Sequence, residues 1–237
     1  MSTFAQSLDL LWQLRAHDEP IVAAQKEIAR QKSDIARAQT RLEAARAESA
    51  KVQQALDKLR SAERDDEAEL KRLEQRIAQL EAQSGSATSE AQIKNVTAAL
   101  AKERTHLDEI ETRGLERLEQ IEAAEKQLGA LKQKQAAAGE ELAAMEKAAN
   151  AVIAVQQAIA EKHARERAPI AAQIEEGLRE QYETANRQNP GSAICLVKPT
   201  ECTGCAGELT QQHVSEVRAR NKVVRCPHCH RIQDWRA

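Results

Sequence analysis

The sequence predicts a mainly α fold: a long antiparallel coiled-coil hairpin over residues 1–189, followed by a small C-terminal β module over residues 190–237. Three observations carry that reading. Ala, Glu, Gln, Lys, Arg and Leu dominate the chain, whose 237 residues include only two Trp, one Tyr and one Phe, too few to anchor an ordinary globular core. Apolar residues recur at seven-residue spacing along two stretches of equal length. All cysteines lie in the tail, four of them in two Cys-x-x-Cys pairs.

Residues 2–17 read as an amphipathic helix, with Leu8, Leu11, Trp12 and Leu14 at helical spacing and a face wide enough to need a partner. Pro20 lacks a backbone donor and crowds the preceding turn, so the helix is expected to kink or break near residue 20, or to restart there with Asp18 as its N-cap. From Ile21 one seam row runs Ile21, Ile28, Ile35, Leu42, Ser49, Leu56, Glu63, Leu70, Ile77, and the other Ala24, Gln31, Ala38, Ala45, Val52, Leu59, Asp66, Leu73, Leu80. Small, turn-prone residues at 84–89 then mark a tip, with Ser89 placed to cap the next helix. A second frame follows from Ile93 and Val96 to Ala149 and Val152. A strict seven-residue repeat specifies a left-handed supercoil with a facing helix.

Folding the frames so that paired residue numbers add to 173 sets every seam residue against a seam residue, with Ile21 opposite Val152 and Leu80 opposite Ile93. Each arm would then reach roughly 90 Å at about 1.5 Å per residue. In this register Glu63, Asp66, Glu103 and Arg117 face apolar partners, Arg117 meeting Leu56 and Asp66 meeting Leu107. Such layers make either a weakened, partner-binding middle or a seam from which long side chains snorkel. Beyond Val152 the apolar face broadens through Ile153, Val155 and Ile159, where the N-terminal helix would pack with Leu14 opposite Ile159. Pro169 imposes a second kink, after which Ile170, Ile174, Leu178 and Tyr182 continue a helix up to Asn189-Pro190-Gly191.

In the tail, Ser192–Lys198 reads as a strand, Gln211–Arg218 as a short helix or turn, and Arg231–Trp235 as a returning strand. Between them, Cys202-Thr-Gly-Cys205 and Cys226-Pro-His-Cys229 have the spacing of a four-cysteine zinc site. Each knuckle sets two thiolates on one side of a tight turn, and four protein ligands leave no open position, so one structural Zn²⁺ is expected. Reactive dithiols, or disulfides in an exported protein, are the other uses of such pairs. Cys195 lacks a partner at knuckle spacing and reads as a buried strand residue; His213, His228 and His230 read as surface groups or partners of the sulfurs. Strand, knuckle, strand, knuckle, strand is a zinc-ribbon arrangement whose few apolar residues leave much of its folding to the metal.

The formal net charge of −2 divides into −5 on residues 1–189 and +3 on residues 190–237. Arg218, Arg220, Lys222, Arg225 and Arg231 crowd the second half of the ribbon, where they could contact phosphates or form an ordinary solvated loop. No basic leader with an apolar core and no run of eighteen apolar residues is visible, so no signal peptide and no membrane association are expected, and a reducing cytoplasm is the simplest setting for the thiols.

From Tyr182-Glu-Thr through Gly191-Ser-Ala-Ile, Glu208-Leu, Glu216-Val-Arg and Val223-Val-Arg to His230-Arg-Ile and Trp235, around the two knuckles, the chain resembles the bacterial C4-type zinc-ribbon domain proteins. The polar ending Ile232-Gln-Asp-Trp235 departs from the family's apolar one. The resemblance implies a helical hairpin with a C-terminal ribbon, nucleic-acid binding through the ribbon, and, for some members, flagellar or transcriptional regulation through a sigma-54-type factor. The function expected is therefore a non-enzymatic adaptor or regulator that binds protein partners, the alternative being an RNA- or DNA-binding regulator acting through the basic ribbon. A closed metal site and the absence of a nucleophile–base set predict neither catalysis nor a small-molecule substrate.

Overall fold

The computed structural model describes residues 4–236. Two helices take most of the chain, α1 over Phe4–Ser86 and α2 over Glu90–Ala171, packed against each other as a hairpin. Between them Ser89 Oγ accepts from the backbone of Gln92 while Gln92 Oε1 accepts from the backbone of Ser89, each at 3.3 Å. This reciprocal cap satisfies two orphan donors and starts α2. After α2 come α3 (Glu176–Gln188), β1 (Ile194–Leu196), α4 (Gln211–Ala219) and β2 (Ile232–Asp234).

Neither proline breaks the helix at its own position. Helix α1 runs unbroken through Pro20. A proline inside a helix removes one helical hydrogen bond, a loss of about 3 kcal/mol, and the apolar face ahead of it offsets that by its packing. Asp18 is therefore no N-cap; it lies buried in mid-helix, accepting from Arg167 Nε at 2.6 Å and Tyr182 Oη at 2.8 Å. At Pro169 the helix continues, but it ends two residues later at Ala171.

By its internal contacts the chain forms two units, Arg37–Ala143 and Met1–Ala36 together with Ala144–Ala237. In the first, all buried residues occupy seam positions of the heptad frames, among them Leu42, Leu56, Leu73, Leu80, Ile110, Ile121 and Leu128. The register differs from the pairing to 173. Arg60 with Glu125, Arg104 with Glu81 and Arg117 with Asp66 add to 183–185, and Ile93 is exposed rather than seated on Leu80. One cause is the reversal, which is centred on Thr88. The other is that side chains lean toward their own helix N-terminus, so in an antiparallel pair they meet partners of higher number than the backbone register suggests. Accordingly Arg117 does not face Leu56. It pairs with the buried Asp66 and donates to the Ala62 carbonyl at 2.7 Å, while Arg113 reaches Asp66 at 2.8 Å.

The second unit has a thicker core. Leu8, Leu11 and Leu14 of α1 bury against Ile174, Leu178, Tyr182 and Ala185, and against Ala193, Ile194 and Ile232 of the tail, with Trp12 and Val223 at the edge. Leu14 thus finds α3 and the β module, whereas Ile159 and Val155 are exposed. Strands β1 and β2 pair in parallel, Ile194 with Ile232 and Leu196 with Asp234. The strand expected between the two knuckles is reduced, among the described residues, to isolated bridges, Glu208 to Glu201 and Arg225 to Ile232. No helix among the described residues is long and apolar enough to cross a membrane.

Candidate metal centre

The two knuckles share one construction. In the first, the Cys202 carbonyl accepts from Cys205 N and from Ala206 N; in the second, the Cys226 carbonyl accepts from His230 N. The residue after each knuckle, Ala206 at φ 56° and His230 at φ 61°, is left-handed, which turns the chain back over its sulfurs. Gly207 follows Ala206 because a Cβ there would lie 2.5 Å from the His228 ring. Arg231 ties the first knuckle to the approach of β1, donating to the Ser192 carbonyl at 2.9 Å and the Gly204 carbonyl at 3.1 Å. Asn189, at the end of α3, donates to the Cys229 carbonyl at 3.0 Å and so holds the second knuckle.

These turns bring the Sγ atoms of Cys202, Cys205, Cys226 and Cys229 within 4.8 Å of one another. Cys202 lies 3.8 Å from Cys229 and Cys205 lies 3.7 Å from Cys226. A tetrahedron of Zn–S bonds of about 2.3 Å has edges of about 3.8 Å, so the sulfurs fit one Zn²⁺. Residues 202–232 also match the family model of the C4-type zinc ribbon domain.

The tail is a C4-type zinc ribbon. No curated protein sequence is significantly similar to the chain. Solved bacterial structures share the fold. CT398 from Chlamydia trachomatis aligns with a TM-score of 0.89 and 18% identity, covering 98% of this chain and 99% of that one. HP0958 from Helicobacter pylori aligns at 0.66 and 16%, covering 98% of each chain. A Mycobacterium smegmatis protein aligns at 0.57 and 20%, covering 98% and 99%.

Within the zinc ribbon, a fifth sulfur lies behind the four. Cys195 on β1 is buried with its Sγ 3.5 Å from that of Cys202. Burial pushes the Cys195 thiol far above the usual range, so it keeps its proton and can donate to the neighbouring sulfur. Burial also opposes ionisation of Cys202, but Gly204 N–H, the Cys195 thiol and Cys205 N–H outweigh it and hold Cys202 at about 6. Burial dominates at Cys226, pushed up to about 12. Sequence spacing gave Cys195 only a packing role; its pairing with Cys202 follows from the strand register.

None of the histidines of the tail joins the sulfur cluster among the described residues: His228 contacts the Glu208 carbonyl and His213 the side chain of Gln233. The basic residues are each engaged within the protein. Arg218 stacks 3.9 Å over the Trp235 ring, Lys222 pairs with Glu216, and Arg225 donates to the Gln181 carbonyl. Arg220, left-handed at the end of α4, reaches the buried Asp234 at 2.8 Å and Asp9 of α1 at 3.1 Å, while Trp12 Nε1 donates to the same Asp234 at 2.9 Å. Asp234 therefore joins β2, α4 and α1, a hub that no local motif announces.

Proposed function

We propose that the protein is a non-enzymatic adaptor whose Arg37–Ala143 unit receives an amphipathic helical segment of a partner protein, while the zinc ribbon has a structural role. The supporting observation is an apolar hollow beside the Asp66–Arg117 pair. Gly114 offers no side chain there, and Leu70, Leu115 and Leu118 border the gap, Leu115 being 66% and Leu118 50% exposed. Leucines at i and i+3 lie on one helix face and form the kind of apolar surface that marks an interaction site. Glu63, Glu67 and Glu111 at its rim favour a partner helix with basic flanks.

A photo-crosslinking residue placed at 115 or 118 in living cells should capture a discrete partner, and Leu118→Asp should abolish capture from 115 without loss of helicity. Equal capture from the exposed Gln120, on the opposite face of α2, would sink the reading. The family resemblance makes a sigma-54-type factor one partner to try. The nucleic-acid reading has weaker support, since Arg218, Arg220, Lys222, Arg225 and Arg231 already have partners within the chain. Under the adaptor reading, RNA and DNA binding is weak and lacks the steep salt dependence that released counterions produce.

A further inference from the structure

His17 of α1 and His163 and Glu166 of α2 bring three donor atoms together within the unit that also holds the ribbon. The two Nδ1 atoms lie 3.1 Å apart, and Glu166 Oε2 lies 3.6 Å from that of His17 and 4.0 Å from that of His163. Metal bonds of about 2.0–2.1 Å in a tetrahedron set ligand atoms about 3.3–3.4 Å apart. A small rotation of the Glu166 side chain would bring all three onto one ion. Two imidazoles and a carboxylate suit zinc and its first-row neighbours, whereas Ca²⁺ and Mg²⁺ prefer all-oxygen sites.

We propose that His17, His163 and Glu166 form a second Zn²⁺ site, separate from the four cysteines. The donors are held in place beforehand. Asp18 follows His17, and Arg167 stands one turn beyond His163; their bidentate pair, with Arg167 also on Glu183 at 2.6 Å and Tyr182 on Asp18, holds α1 to α2 at this level. The three side chains are 20%, 25% and 47% exposed, so a hydrated ion can reach them. With three protein ligands, a fourth position is left for water, unlike the closed ribbon site. Binding through Nδ1 requires each imidazole to carry its remaining proton on Nε2. The metal-free alternative is a hydrogen bond in which one Nδ1–H donates to the other ring.

The test is metal stoichiometry on the full chain, stripped with chelator under reducing conditions and titrated with Zn²⁺, and in parallel with Co²⁺ as a spectroscopic probe. Two equivalents should bind. One Co²⁺ should show the thiolate charge-transfer band of the ribbon, and the other should lack it. Replacing His17→Ala and His163→Ala together should leave one equivalent with the thiolate band unchanged. Glu166→Gln, which keeps the side-chain shape, should weaken the second equivalent by at least the roughly 10–100-fold seen for outer-shell partners of metal ligands, with circular dichroism unaltered. A wild-type chain that binds one equivalent throughout micromolar free zinc overturns the proposal. So does a second equivalent that survives the double substitution or binds unchanged in Glu166→Gln.

Discussion

The Arg37–Ala143 unit and the unit holding the ribbon solve the problem of burial in opposite ways. The first repeats one thin seam, in which Leu56, Ile121 and Leu128 form a small buried cluster, so each layer depends on its neighbours and no residue is central. The second gathers distant segments around single side chains. Tyr182 is fully buried, Asp18 accepts from two partners, and Asp234 receives Trp12, Arg220 and Arg236. Damage should therefore be local and graded in the first unit and far-reaching in the second.

The largest break is Cys226→Ser. Structural zinc contributes about 10–16 kcal/mol to such modules, so the ribbon should release its metal and unfold. Because Ile194 and Ile232 share a core with Leu8, Leu11 and Tyr182, hydrogen exchange should accelerate in α3 and the start of α1 as well. Protection at the seam of Arg37–Ala143 should remain; its loss would refute the division into units. Next comes Asp18→Ala, which leaves Arg167 and Tyr182 without their shared acceptor. A loss of about 3–5 kcal/mol is expected by chemical denaturation, whereas Tyr182→Phe, which removes one bond, should lose about 1 kcal/mol. Leu56→Ala in the thin seam should lose about 2–3 kcal/mol, at the low end for a buried leucine because two helices can close on the gap. Smaller still is the joint change Asp66→Leu with Arg117→Leu. Replacing a buried pair by apolar groups is commonly neutral or stabilising, while Asp66→Ala alone destabilises; denaturant midpoints of the two variants against the parent chain would show whether that holds. Arg60→Ala, which removes an exposed pair with Glu125, should change stability by no more than about 1 kcal/mol in the same assay.

The same contrast explains what the sequence could reveal. A local repeat names its own buried positions, so Leu42, Leu73 and Leu131 were legible. Their partners were not, since a repeat names the residues that face the seam without fixing how far one arm slides past the other, and the reversal centred on Thr88 with side chains leaning along their helices sets Asp66 against Arg117 rather than either against a leucine. The four ligand cysteines were legible because tight turns fix the knuckle spacing chemically. The sulfur behind Cys202 was not, because it depends on pairing Cys195 with Gln233, thirty-eight residues away. The partner of Leu8, Leu11 and Leu14 was mistaken for the broad face near Ile159 for the same reason: hydrophobic spacing shows that a face needs covering without saying by what. Pro20 was overweighted as a breaker because its cost is local while the packing that offsets it is not.

The bond from Trp12 to Asp234 spans 222 residues. On a ribosome adding about 5–20 residues per second, the partner of that indole is made roughly ten to forty-five seconds after it. The heptad seam of residues 37–143 can close during that interval, whereas Leu8, Leu11 and Leu14 must wait for α3 and the metal-held strands. For that time the nascent chain presents a bare leucine face, and a chaperone or an early-binding companion has its opportunity there, before the fold covers it.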